Sequence, residues 1–293
     1  MANYRYHLRC TSLPSASHPL ATMIEENLNI LRCWCWVDST SSTNTEKLHI
    51  GIRHLTSLYD SVDDLLHLPH IQQVLVHHRD ENFVDKVLDG SLRLLDVSST
   101  IRDVLLRMKE HVQQTRSVLR RRRGEFKLRN EIDGYMHARR KINKVIHKCL
   151  RNLRKMVSKH SLFSQNDQDL VTVVHVLKEV ETLTLSVCES LLRFLSGSRT
   201  SLKPSGWSLV SNLMHKKRIK CEEQHLDSNE VEMLQKTMLV LSSHKCHEVK
   251  TLQKAQVQLE VLETSIRSLE DGLECVFRRL IKTRVSVLNI LNN

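Results

Sequence analysis

From Leu48 onward the apolar residues Leu48, Ile52, Leu55, Val62 and Leu66 recur at spacings of four, three, seven and four, and Tyr59 fills the wide gap. That spacing stacks them on one face of an α-helix, which Pro69 ends or kinks. A second helical stretch follows to Asp89-Gly90, read as a break, and Ser91 is placed to cap a third stretch through Leu119. Leu170, Val173, Leu177, Val180, Thr184, Val187, Leu191 and Phe194 make another face with one polar member. The most regular pattern is the last: Leu252, Ala255, Leu259, Leu262, Ile266, Leu269, Leu273, Val276 and Leu280, extended by Thr283, Val287 and Ile290. A seam of this kind needs a partner helix, in a bundle or a coiled coil.

Between the third stretch and Leu170 the pattern becomes two-sided. At 100° per residue from Ile132, the apolar residues Ile132, Tyr135, Ile142, Val145, Ile146, Cys149, Leu150, Leu153, Met156 and Val157 fill an arc of about 140°. Arg140, Lys141, Lys144, Lys148, Arg151, Arg154, Lys155 and Lys159 fill the opposite arc, and Arg139 alone strays from it. This predicts a cationic amphipathic helix.

Residues 1–18 read as a polar, flexible arm, and the first helix starts at Pro19, well suited to a first turn, and runs through "IEENLNILRCWCW". "DSTSSTNT" (38–45) reads as a linker whose Thr45 could cap the next helix. The predicted organisation is an arm (1–18), a helical bundle (19–196), a mobile linker (197–228) and a long C-terminal helix packing on the bundle (229–293). The fold class is all-α, a bundle of long amphipathic helices with a coiled-coil-like C-terminal helix. Composition agrees: 7 glycines, 4 prolines and 4% aromatics are too few for a sheet protein with many turns.

Charge changes the picture at one place. The net charge is +11. Residues 116–159 hold 16 Lys or Arg against three acids, so this segment carries the field and an acidic partner is to be sought there. Within it, "SVLRRRRGEF" sets Arg120, Arg121, Arg122 and Arg123 in a row before Gly124. They read as mostly solvated residues closing a helix, with import or docking as their functional role; "HKKRIK" is a second import-like run.

Few residues suggest chemistry. There is no P-loop, GxGxxG, GxSxG or HExxH, and no catalytic residue, cofactor or metal site is assigned. Carboxylate-x-x-His occurs at Glu46/His49, Asp64/His67 and Glu222/His225, against roughly two such pairs expected by chance, so no di-iron site is read from it. "HKCH" (244–247) and Cys33/Cys35 lack a second ligand pair at zinc-site distance. Asp60, Asp63, Asp64 and His67 read as an exposed acidic face that could pair with the basic helix. Eight scattered cysteines point to reduced thiols in an intracellular protein, cytoplasmic or nuclear. The acid-free first 24 residues leave a plastid transit peptide as the alternative. No apolar run reaches the length of a membrane span.

The strip Arg140, Lys141, Lys144, Lys148, Arg151, Arg154 and Lys155 is the candidate partner-binding site. An acidic protein or an anionic membrane surface is the leading partner, and calmodulin-type capture is a further class. Nucleic acid ranks lower, because Phe126 and Tyr135 are the only aromatics to interleave with the charges. Arg9-x-x-Ser12-x-Pro14 has the layout of a phosphosite read by 14-3-3 proteins, with Ser12 as acceptor.

"YHLRCTSLPSASHP", "SLYDSVDDLLHLP", "DGSLRLLDVSST", "SVLRRRRG" and "LEDGLECVFRRLIKTRVSVLNILN" together resemble, in order and over nearly the whole chain, the plant-specific domain-of-unknown-function family that includes the BYPASS proteins. The resemblance implies a helical plant protein connected with root and shoot development, and it brings no catalytic residues. Trp34-Cys35-Trp36 and Cys10 depart from the family's small or polar residues, and Cys10 weakens the phosphosite reading. The leading reading is a non-enzymatic regulatory or scaffold protein. Its rival is a nuclear, nucleic-acid-associated helical protein.

Overall fold

The computed structural model describes residues 19–40, 43–78, 82–121, 125–157, 168–197, 229–243 and 249–292. Among them every regular element is an α-helix: α1 (Pro19–Thr40), α2 (Thr45–Leu66), α3 (Pro69–His77), α4 (Asn82–Arg120), α5 (Glu125–Val157), α6 (Gln168–Ser196), α7 (Glu230–Ser243) and α8 (Val249–Asn292). The all-α bundle is what the three-four periodicities dictate.

The C-terminal seam is the spine of the bundle. Ala255, Leu259, Leu262, Ile266, Leu269, Leu273, Val276, Leu280, Val287 and Ile290 are all buried, and α8 lies along α4 and α2. α4 also packs on α5 and α6, while α1 covers α2 and α6, and α7 fills the space between α8 and α5. Ion pairs tie the spine to α4 along its length: Lys109 to Glu270 at 2.5 Å, and Arg116 to Glu260 at 2.6 Å and Glu263 at 2.7 Å. The span 229–293, expected as one long helix, thus contains two described helices, α7 and α8.

Several local expectations are corrected by tertiary contacts. α1 runs through the expected linker as far as Thr40 because Asp38 is buried and accepts hydrogen bonds from Ser190 at 2.5 Å and Thr43 at 2.7 Å. Asn44, not Thr45, caps α2, its side chain accepting from the Lys47 amide at 2.9 Å. Pro69 both bars continuation of α2 and opens α3 at its first position. Asp89-Gly90 is no break: α4 continues through it, and Ser91 does not cap but returns its hydroxyl to the Leu88 carbonyl at 2.7 Å. Gly90 sits under the Glu181 carboxylate of α6, so a Cβ there, 2.7–2.8 Å from it, would push that side chain aside.

The acidic cluster on α2 turns toward α8 rather than toward the basic helix. Asp60 accepts a two-pronged interaction from Arg279 at 2.8 and 3.0 Å, and buried Asp63 pairs with Lys282 at 2.8 Å and accepts from Ser286 at 3.2 Å. Trp34-Cys35-Trp36 splits between inside and outside. Trp34 lies over Gly51 of α2 and donates to the Lys47 carbonyl at 2.9 Å, burial pushes the Cys35 thiol up to about 11, and Trp36 is 71% exposed.

The end of α6 is a close junction with α7. Gly197 follows it at φ +62°, its amide donating to the Phe194 carbonyl at 3.1 Å, and a Cβ would stand 2.8 Å from Val231 of α7. Gly197→Ala therefore meets both a left-handed backbone and a packed side chain. The expected cost is about 2–4 kcal/mol in urea-monitored unfolding. A loss below about 0.5 kcal/mol would show that α7 yields freely at this point.

Candidate functional site

α5 is sorted by its packing into two faces. Ile132, Tyr135, Ala138, Ile142, Ile146, Cys149, Leu150 and Leu153 are buried against its neighbours. Of the expected apolar arc, Val145 is exposed and Met156 half-buried. All seven cations of the candidate strip, Arg140, Lys141, Lys144, Lys148, Arg151, Arg154 and Lys155, are exposed. At 1.5 Å per residue the strip extends about 22 Å along the helix.

The electrostatics set this strip apart from other basic residues. Several cations on α4 and α8 face acids across helix contacts, as Lys109, Arg116, Arg279 and Lys282 do. On the strip, Arg154 approaches Glu189 at 3.8 Å, but that carboxylate already accepts from Arg193 at 2.7 Å. Among the described residues, Arg140, Lys141, Lys144, Lys148 and Arg151 form no ion pair. Positive charge from Arg140 to Arg151 remains unpaired over about three turns of helix, an arrangement suited to attracting an anionic surface.

Arg120 and Arg121 are exposed at the end of α4, the Arg121 amide donating to the Val118 carbonyl at 3.1 Å. α5 starts at Glu125, so about 22 Å of helix axis separates its first residue from Arg140. Arg120 and Arg121 thus stand at the end of α4, whereas the strip occupies the C-terminal half of α5. Arg122, Arg123, Ser12, Lys159, the "HKKRIK" run and "HKCH" lie outside the described residues.

Arg139, the cation that strays from the polar arc, is buried, with 3% exposure. Its guanidinium donates to the Leu195 and Ser196 carbonyls, both at 3.0 Å, and so closes the C-terminal end of α6. No acid faces it among the described residues, and burial lowers its pKa. The neighbouring Tyr135 hydroxyl is buried without a partner, and burial raises its pKa to about 12. The sequence signal for this role was the single violation of the α5 pattern.

A second feature escaped sequence reading altogether. A cavity of about 490 Å³ opens where α2, α4, α5, α6 and α8 meet, and Lys155 at the end of the strip borders it. Its lining comes from five helices, so no local motif announces it. Among the described residues there is no group of three side chains able to hold a metal ion, and no helix long and apolar enough to cross a membrane.

A family profile described as Protein BPS1 matches residues 51–290. No match was found among curated proteins or among solved structures. The matched span begins inside α2 and reaches nearly to the end of α8, in agreement with the BYPASS resemblance of the sequence segments. The chain belongs to the BPS1 protein family.

Proposed function

We propose that the protein is a non-enzymatic scaffold whose α5 strip docks on an acidic protein or an anionic membrane surface. Family membership implies a regulator of plant development; the proposal concerns the physical means. The observation that carries it is the exposure of Arg140, Lys141, Lys144, Lys148 and Arg151 along one helix face without ion pairs, whereas Lys109, Arg116 and Lys282 on other helices are matched by acids.

The burial of Ile142, Ile146 and Leu150 favours one mode of contact. Capture by calmodulin, or insertion of an amphipathic helix into lipid, engages an apolar face. In the folded bundle that face is occupied, so contact is through the charged side alone, as a rigid cationic ridge. Strong anionic density is the partner's required property, and short range is expected because salt screens such contacts within roughly 8 Å.

The test is affinity purification of the tagged protein from plant tissue near physiological salt, with and without nuclease. A defined set of proteins or anionic membranes should persist after nuclease and be released near roughly 1 M salt, where screening shortens to about 3 Å. Collapse of the set on nuclease treatment would instead assign the strip to nucleic acid.

A further inference from the structure

α4 carries an exposed acidic row beside the basic strip. Asp89, Asp96, Asp103 and Glu110 recur every seven residues, and all four are exposed. A step of seven advances about 10.5 Å along a helix and returns to nearly the same face. Most bases of this stretch are already taken: Arg93, Arg102 and Lys109 pair with Glu181, Glu274 and Glu270. Arg107 alone stands exposed among the acids. None of the four acids forms an ion pair among the described residues.

The strip on α5 repeats with the same step. Lys141 and Lys148 are seven residues apart, as are Lys144 and Arg151, and no acid lies between Arg140 and Lys155. α4 ends at Arg120, α5 begins at Glu125 and the two pack together, so they run antiparallel; Met108 meets Arg139 at 3.5 Å across the contact. Counted back from Arg120, Asp103 and Asp96 lie 17 and 24 residues along α4. Counted on from Glu125, Lys141 and Lys148 lie 16 and 23 residues along α5. Each acid is thus level with one base to within about a turn, roughly 5 Å. Yet no ion pair joins the two rows among the described residues. Both face solvent, held side by side by the roughly 8–10 Å between packed helix axes.

A face with an acidic ridge beside a basic ridge, at equal heights, is complementary to itself. Rotation by a half-turn about a line parallel to the two helices and midway between them exchanges the ridges and keeps every height. α4 of one copy then lies over α5 of the other, and the reciprocal contact forms with it, which closes a two-fold interface. The exposed large apolar side chains of these helices, Leu92 and Leu106 on α4 and Val145 on α5, border the same rows and add apolar contact. We infer that the α4–α5 face is a self-association surface on which a second copy of this chain docks, Asp96 and Asp103 of each copy meeting Lys148 and Lys141 of the other. This rests on the docking reading of the strip and names its acidic partner. The net charge of +11 opposes the meeting of two copies, so the dimer is weak. Its dissociation constant is on the order of 10 µM near 0.15 M salt, where repulsion beyond about 8 Å is screened and contact pairs persist.

Sedimentation velocity of the full-length protein, from about 1 µM to about 0.1 mM, should show a monomer passing into a dimer. Asp96→Lys with Asp103→Lys, and separately Lys141→Glu with Lys148→Glu, should each weaken it by roughly a hundredfold or more, because the two-fold doubles every change. Mixed in equal amounts, these two variants should form a one-to-one heterodimer, since one then carries two basic ridges and the other two acidic ones. A chain with all four reversals should dimerise alone, within roughly tenfold of the wild type. Lys254→Glu, an exposed reversal on α8, should change nothing. Circular dichroism checks helicity, and recovery in the mixture shows that both variants are folded. A wild type still monomeric at about 0.1 mM, a dimer indifferent to the reversals, open assemblies larger than a dimer, or failure of the mixture to associate would overturn the inference. Of these, a monomeric wild type whose strip still captures acidic proteins overturns self-association alone. A dimer that answers to the Asp96 and Asp103 reversals but not to those of Lys141 and Lys148 removes the strip, and with it both readings.

Discussion

Arg139→Ala is expected to lower stability by about 3 kcal/mol, seen as a fall in thermal midpoint of roughly 6–12 °C for a chain of this size. The argument begins with α6, whose last carbonyls have no partner within their own helix. Asn229 serves one, donating to the Phe194 carbonyl at 3.2 Å, and Arg139 serves the next two, Leu195 and Ser196. Deleting the guanidinium removes a donor from each of two carbonyls in a buried junction and leaves a cavity between α5, α6 and α4, where Met108 approaches Arg139 at 3.5 Å. Against this stands the cost of burying a cation with no acid beside it, which the substitution relieves. The favourable field of the α6 C-terminus offsets part of that cost in the wild type.

Arg139→Met separates these contributions. It keeps most of the volume, removes the charge and removes both donors. If capping dominates, Arg139→Met remains destabilising by about 1–2 kcal/mol, less than alanine because the space is refilled. If desolvation dominates, it equals or exceeds the wild type in stability, and the capping account fails. Because Gly197, Arg139 and Val231 meet at one point, Arg139→Ala and Gly197→Ala are close enough to couple, and their effects are not expected to add.

The same residue marks how far the sequence could be read. α8 was legible because one face of a single helix carries its whole core, from Ala255 to Ile290, and periodicity reports that directly. The α5 strip was legible for the same reason, each charge being placed by its angle around one axis. Arg139 registered only as a defect, since its partners are carbonyls of residues 195 and 196, more than fifty positions away. Gly90 was misread because a glycine's local preference suggests a break, whereas it lies inside α4 beneath the Glu181 carboxylate of another helix. Asp63 likewise looked exposed until Lys282 and Ser286 of α8 stood beside it. The cavity has no counterpart in any one segment: Arg93 comes from α4, Lys155 from α5 and Lys178 from α6. What one helix axis determines was accessible; what two or more axes determine was not.

The docking reading makes its strongest claim on the combined variant Lys144→Glu, Lys148→Glu, Arg151→Glu and Lys155→Glu. All four side chains are exposed, so the bundle should fold with unchanged helicity. The expected stability cost is about 1 kcal/mol, from reversed charges near the α5 C-terminus. Capture of the partner should respond far more strongly. If each basic residue near an anionic surface contributes about 1 kcal/mol, removal of four alone weakens binding by roughly a thousandfold, and the introduced acids add repulsion. Dissociation constants measured near 0.15 M salt, on the partner recovered by purification, supply the readout. The salt dependence should flatten together with the affinity, because fewer charges then contribute to attraction. Neutral replacement by glutamine at the same four positions should fall between wild type and the glutamate variant, which separates lost attraction from added repulsion. Undiminished capture by the folded glutamate variant would place the contact elsewhere on the bundle and remove the strip from the mechanism.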